Sequence, residues 1–330
     1  MHPLLRAAAE RRLGLFTAAD ARRAGYGHPE IRSMCATGRW VRLRRGIYVA
    51  ADDLARAEQQ GRRFQLDCLA VLVALDRPGA ALGHGTAARL WGLPVPRPPT
   101  ISLVDPAHTR TGRDHRMTQT PLADDEVAVR GPFRLTTPAR TLVDHARSEP
   151  LEEAVVAMDA ALLAERVVPE QLRTAASRAA RWPGARRAER AVVLADGRAE
   201  SPLETRGRLR IAGAGLPVPE LQVEIRAEGR LVAVVDAWFD DAAVAVEFDR
   251  QVKYTDPWRG RSPERVLWEE KRREDRLRAL DIGVVRIADA DVGPRWPDAE
   301  ADLRRALARP APLRRRFSTL PRARGQARTG

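Results

Sequence analysis

Residues 231–249 read LVAVVDAWFDDAAVAVEFD, and their reading decides the architecture of the C-terminal part of the chain. Two short apolar runs, LVAVV and AVAV, each pass directly into a carboxylate, Asp236 and Glu247. Strand interiors ordinarily exclude acidic side chains, so these strands end at something polar. Side chains alternate along a strand, which sets Glu247 and Asp249 on one face and Val244, Val246 and Phe248 on the other. A hairpin loop at residues 240–243 then brings Asp236 opposite Glu247 on that face. A slip of a single residue would turn Asp236 to the wrong side.

Outward from this hairpin the pattern continues. Ser201, Pro202 and Glu204 open a helix that stops at Gly213 or Gly215, and PELQVEIR (219–226) alternates as a strand before the Glu228-Gly229 turn. A polar loop runs to Pro263, followed by the charged helix ERVLWEEKRREDRLRAL (264–280) and a last strand, GVVRI (283–287). Residues 200–300 are thus predicted as an αβββαβ unit. From Arg309 onward the tail holds seven arginines, three prolines and no acid, the composition of a disordered segment.

A chain of 330 residues is too long for one ordinary core, and the multidomain prior holds. Its net charge of +13 suits an anionic polymer, and the excess lies at the two ends. Residues 1–50 carry 10 Arg against 3 acids, and residues 301–330 carry 9 against 1. Residues 200–300, with the odd carboxylates, carry 17 Lys and Arg against 21 acids. Cys35 and Cys68 stand in helix-like contexts without a CxxC partner, which reads as reduced, buried thiols and not as a zinc site. Arginines break every apolar run of the N-terminus, and nothing later approaches the roughly 18 apolar residues of a membrane span. A soluble cytoplasmic protein is expected.

Residues 1–52 read as helix, helix, turn, helix and hairpin. Thr17 caps the second helix with Asp20 in the capping-box position, Gly25 stops it, and Pro29 opens the third, which ends at Gly38. RWVRLRR and IYVA flank Gly46 as two strands, so the layout is a winged helix-turn-helix. Clustered cations serve phosphate contact, and nothing acidic lies between Arg32 and Arg45. Residues 57–195 read as mostly helical, with TISLVD and EVAVRG as strands and a Pro cluster at 94–99. His84 and His145 beside Ala-rich helices read as packed groups.

The stretch GLFTAADARRAGYGHPEIRSMCATGRWVRLRRGIYVA (14–50) resembles the winged-helix domain of type IV, AbiEi-like antitoxins, and residues 57–195 resemble the family's middle region. The resemblance implies DNA binding, with residues 28–37 as recognition helix and Arg32, Arg39, Arg42, Arg44 and Arg45 on it or on the wing. Arg314, Arg315 and Arg316 of the tail are further candidate DNA contacts. A cognate toxin is the other implied partner.

Two or three carboxylates converging on one strand end repel one another, and a hard cation, Mg²⁺ or Mn²⁺, is the natural filler. Lys253 and Lys271 are the chain's only lysines among 57 Lys and Arg, and both follow the acids within one unit. A compact charge of this kind suits polarising a water or neutralising a phosphorane. The motifs SPLE (201–204), VVDAWF around Asp236, AVEFD (245–249), VKY (252–254) and EKRREDRLRAL (270–280) resemble the very-short-patch-repair-like endonuclease domain of the PD-(D/E)xK superfamily. By that resemblance Asp236 and Glu247 are metal ligands and Glu204 is the helix-borne acid. Asp249 stands where the superfamily usually has lysine, and Lys253 or Lys271 supplies the charge. Arg250 departs from the pattern, standing where Gly is expected. Glu204 has a structural reading too, since Ser201-Pro202-Leu203-Glu204 is a capping box.

The expected fold is α/β multidomain: a winged helix (1–52), a mostly helical middle (57–195), a restriction-endonuclease-like αβββαβ domain (200–300) and a basic tail (309–330). The leading expectation on these residues is a Mg²⁺-dependent DNA endonuclease in which metal-activated water attacks the phosphodiester. The alternative is a non-catalytic, antitoxin-type regulator that keeps a nuclease-like fold as scaffold.

Overall fold

The computed structural model describes residues 1–249 and 263–323. In chain order the first elements are α1 (Pro3–Glu10), β1 (Leu15–Thr17), α2 (Ala18–Arg23), α3 (His28–Ala36), β2 (Trp40–Arg44) and β3 (Ile47–Ala50). Next come α4 (Ala51–Gln59), α5 (Arg63–Leu75), β4 (Ala81–Leu82), α6 (His84–Leu90), β5 (Ile101–Asp105), β6 (Arg110–Thr111), β7 (His115–Gln119), β8 (Val127–Arg130) and β9 (Phe133–Thr136). The helices α7 (Pro138–Ser148), α8 (Leu151–Leu163), α9 (Pro169–Arg178) and α10 (Ala185–Leu194) follow. The remainder is α11 (Pro202–Gly213), β10 (Glu220–Ala227), β11 (Arg230–Phe239), β12 (Val244–Asp249), α12 (Pro263–Arg278), β13 (Gly283–Ala288), α13 (Trp296–Leu307) and β14 (Ser318–Pro321). The chain divides into two compact units, Met1–Glu149 with Pro169–Glu189, and Pro150–Val168 with Arg190–Gly330.

In the first unit, α1 to β3 have the helix and strand order of a winged helix, with β3 between β1 and β2. Thr17 and Asp20 close a capping box at the start of α2, as the sequence indicates. The small sheet is covered on both faces. Phe16, Trp40 and Tyr48 pack with Leu5, Ala21 and Ile31 of the helices. Leu15, Ile47 and Val49 enter a second core with Leu66 and Leu69 of α5, Leu103 of β5 and Met117 of β7. The middle region is largely helical, and its short strands assemble, among the described residues, into a six-stranded sheet in the order β6-β7-β5-β4-β9-β8. Cys68 is buried and its thiol is pushed up to about 12 by that burial, whereas Cys35 is only half-buried.

In the second unit the expected αβββαβ order is present as α11, β10 to β12, α12 and β13. The described strands form a five-stranded mixed sheet, β13-β12-β11-β10-β14, with only the β12–β13 pair parallel. Val244, Val246 and Phe248 join Leu203 and Ile211 of α11 and Leu303 of α13, while Ala245 and Trp238 join Leu277 of α12. Helices therefore cover both faces. The tail departs from the expected disorder at Ser318–Pro321, which pair antiparallel with Val223–Arg226. Three arginines pin that segment: Arg315 to Asp240, Arg316 to Asp281 and Arg322 to Glu200.

Gly207 of α11 lies flat against the buried Phe248 ring, where an added Cβ would stand 2.0 Å from the nearest ring carbon. Helix propensity alone favours Ala over Gly by about 1 kcal/mol. Overpacking a tight contact costs about 1–3 kcal/mol, so the clash outweighs the propensity gain. Gly207→Ala is expected to lower the thermal midpoint of the full chain by roughly 2–10 °C, measured by calorimetry; an unchanged or raised midpoint would show that α11 and β12 do not meet this closely.

Candidate functional site

The acids of the second unit belong to a polar row that crosses the sheet. The β11–β12 ladder pairs Phe239 with Val244 and Ala237 with Val246, so residues 240–243 form the loop and the next step sets Asp236 opposite Glu247. Leu221 and Val223 pair with Ala237 and Val235, which puts Gln222 on the other side of Asp236. Glu247 pairs with Arg286 of β13, and the Arg322 amide donates to the Gln222 carbonyl at 2.9 Å. The row therefore reads Arg322, Gln222, Asp236, Glu247, Arg286 across neighbouring strands. At its centre the strand alternation is interrupted. Gln222 has φ +54°, and Val223 and Val235 on one side of it join the α12 core while Leu221 and Ala237 on the other join the α11 core.

Gln222, Asp236, Glu247 and Glu204 are all buried. A buried carboxylate must be hydrogen-bonded or paired. Asp236 accepts from the Phe248 amide at 2.8 Å and from the Gln222 side-chain amide at 3.4 Å. The same Gln222 amide donates to Glu204 at 3.0 Å, linking the helix-borne acid to the row. Glu247 accepts from the Arg273 guanidinium at 2.8 Å, with Arg286 at 3.9 Å. Burial nonetheless holds the Glu247 carboxyl above its ordinary range; Arg273 and Arg286 oppose this, and Asp236 and Asp249 add to it. Asp249 meets Arg286 at 3.3 Å.

Among the described residues the cation at Glu247 is Arg273. Lys271 lies two residues away on α12 and is exposed, and Lys253 and Arg250 lie outside the described residues. Among the described residues, no group of three or more His, Cys, Asp or Glu side chains forms a metal-ligand cluster. Glu204 takes part in the capping of α11 and in the row. Its amide is capped by Ser201 at 3.1 Å, and its carboxylate takes the Glu200 amide at 2.8 Å as well as Gln222. Gln222, Arg273, Arg286 and Arg322 escaped the sequence reading because nothing in their local spacing marks them; the strand register and, for Arg273, the packing of α12 bring them to the acids.

A second buried acid, Asp159 of α8, anchors α11 just beyond Glu204. It accepts from the Thr205 hydroxyl at 2.8 Å, from Arg208 at 2.6 Å and from the Asp196 amide at 2.7 Å. Burial raises its carboxyl from 3.8 to about 6 against the pull of Arg208.

In the first unit, Arg32 and Ala36 of α3, Arg39, and Arg42 and Arg45 of the wing are exposed. Arg44 is not part of that surface. The β2–β3 ladder pairs Arg42 with Tyr48 and Arg44 with Ile47, so Leu43 is an extra residue in β2. Such a bulge re-aims the next side chain, and Arg44 turns to Asp114 in the β6–β7 turn. Arg315 and Arg316 are likewise engaged in their pins, while Arg314 is exposed. His84 and His145 are packed: burial holds the His84 imidazole below its ordinary value, and its Nδ1 lies 3.1 Å from the Asp144 carbonyl.

The fold combines an N-terminal helix and strand region consistent with a winged helix and a C-terminal mixed sheet, and residues 3–51 match the family described as transcriptional regulator, AbiEi antitoxin. Two proteins of Mycobacterium tuberculosis, uncharacterized protein MT2308 of strain CDC 1551 / Oshkosh and uncharacterized protein Rv2248 of strain ATCC 25618 / H37Rv, are each 30% identical over 226 residues, covering 64% of this chain and 74% of theirs. The chain belongs to the family of these two mycobacterial proteins. The crystal structure of the RV2827C protein from Mycobacterium tuberculosis matches at a TM-score of 0.41 and 18% identity, over 62% of this chain and 78% of that one. Among the described residues no helix is long and apolar enough to cross a membrane.

The Asp159 carboxyl gives a pH signature with a definite sign. Its folded value lies above its ordinary one, so its stabilising contribution is complete below about 3.8 and is lost as pH rises through about 6. The stability difference between the protein and Asp159→Asn is expected to fall across that window and stay flat above it, measured by urea unfolding from pH 4 to 8; a difference that rises with pH would contradict the burial of this group.

Proposed function

We propose that the chain is a DNA-binding transcriptional regulator of the AbiEi antitoxin type. The observation that carries this reading is the regulator-family match on residues 3–51, a segment whose helices and strands have winged-helix order. In a winged helix the α3 position is the one that enters the major groove, and the wing takes phosphate. Arg32, Arg39, Arg42 and Arg45 are exposed for those tasks. The antitoxin class adds a cognate toxin as protein partner, and the C-terminal unit is the free candidate to meet it.

In this reading the acid row is a structural element. Arg273 on Glu247, and Gln222 with the Phe248 amide on Asp236, compensate charges that would otherwise open the sheet. A second reading, a Mg²⁺-dependent endonuclease, draws support from the placement of Asp236 opposite Glu247 with Glu204 tied in through Gln222. A divalent ion held by Asp236 and Glu247 would supply an activated water. Asp249, Lys271 and Lys253 are the remaining residues of that reading.

One set of assays separates the two. Duplex DNA from the region upstream of the coding sequence should bind in fluorescence anisotropy, and Arg42→Gln should lower the slope of log K against log salt by about one unit. Supercoiled plasmid with Mg²⁺ or Mn²⁺ should stay intact with protein and with Asp236→Asn alike. Metal-dependent nicking that Asp236→Asn abolishes would establish the endonuclease and displace the regulator reading; absence of duplex binding would remove the regulator reading on its own.

A further inference from the structure

We infer that the β6–β7 hairpin of the middle sheet is a second DNA-contacting element, set beside the wing and engaging the same duplex through Arg110, Arg113 and Arg116. The inference rests on the DNA-binding reading of the winged helix and deepens it.

The geometry starts at the bulge in β2. Without Leu43 as an extra residue, Arg42 and Arg44 would share one face of the wing; with it, Arg42 stays on the side of Trp40 and Tyr48 while Arg44 moves to the side of Ile47. Arg44 then ion-pairs Asp114, at the turn between β6 and β7. Arg45 and Arg113 are the chain neighbours of the two paired residues, and both are exposed. The wing tip and the hairpin tip are therefore joined by one ion pair and flanked by one free-facing cation each.

The hairpin itself is built to hold that position. Its ladder pairs Arg110 with Met117 and Thr111 with Arg116. Met117 is buried in the core that also takes Leu15, Ile47 and Val49 of the wing sheet. His115 is buried behind the turn, its Nδ1 3.2 Å from the Asp114 carboxylate, and its ring packs on Gly112, where a Cβ would stand only 2.1 Å away. No bulkier residue fits at Gly112 without moving the ring, so the turn is fixed from within.

Charge names the occupant. Arg110, Arg113 and Arg116 are exposed, and none forms an ion pair with another described residue. The turn's one acid, Asp114, has a side chain 55% exposed, which would repel phosphate if left alone. Arg44 neutralises it, so Arg45 and Arg113 are left as the exposed cations of the joint, with Arg110, opposite Met117, and Arg116, opposite Thr111, on the two faces of the hairpin behind it. Arg113 on the turn, with Arg110 on β6 and Arg116 on β7, gives three guanidinium groups with no ion pair among the described residues, and such charges fit the phosphates of a duplex flanking the site that α3 enters.

The test uses the full chain and a fluorescent random-sequence duplex of about 30 base pairs, titrated between about 50 and 200 mM NaCl. Wild type, Arg45→Gln, Arg113→Gln and the triple Arg110→Gln/Arg113→Gln/Arg116→Gln variant are compared at matched thermal midpoints. Each phosphate contact removed is expected to lower the salt slope by about 0.9, so Arg113→Gln loses about one contact and the triple variant more. A loss in Arg45→Gln with wild-type slopes in both hairpin variants would overturn the hairpin and leave the winged helix standing. Failure of the wild type to bind any duplex would end both.

Discussion

A carboxylate inside a sheet must be met by hydrogen bonds and opposite charge, and the C-terminal unit is organised around that requirement. Asp236 and Glu247 sit side by side on neighbouring strands, where their mutual repulsion would separate β11 from β12. Three other elements and one amide of β12 itself answer it: β10 with Gln222, α12 with Arg273, β13 with Arg286, and the Phe248 amide. Gln222 is shared between Asp236 and Glu204, so even the helix on the opposite face is drawn in. Removing Arg273 would strand a buried anion, a defect worth about 3–5 kcal/mol.

The same logic governs the first unit with the signs reversed. There an excess of arginine must be kept at the surface and aimed. A single extra residue in β2 sends one of two neighbouring arginines to Asp114 and leaves the other outward. The strand that carries the exposed Arg42 thus also fastens the hairpin of β2 and β3 to the sheet behind it.

Much of this was legible in the sequence. The capping box at Thr17, the three helices and the hairpin of residues 1–52 though not β1, the order of elements in residues 200–288, and the Asp236–Glu247 juxtaposition follow from local spacing, because turn length and strand period fix register over short distances. What escaped has a common cause. Arg273, Arg286 and Gln222 reach the acids only through tertiary packing. Arg42 and Arg44 looked equivalent, since a bulge leaves no mark in the alternation VRLR. The strand β7, HRMTQ, lacks the β-branched run that announces a strand, and β14 is held by three arginine pins that composition reads as disorder.

The sheet of the winged helix is covered on both faces, one by its own helices and the other by α5 and the middle sheet. A reading head on a flexible tether explores orientations independently, and each added contact must then repay the entropy of holding the tether still. Here that freedom is absent before any ligand arrives. The wing sheet and the middle sheet share one core, so a displacement of the middle sheet would be felt at once by the strands that α1 to α3 pack on.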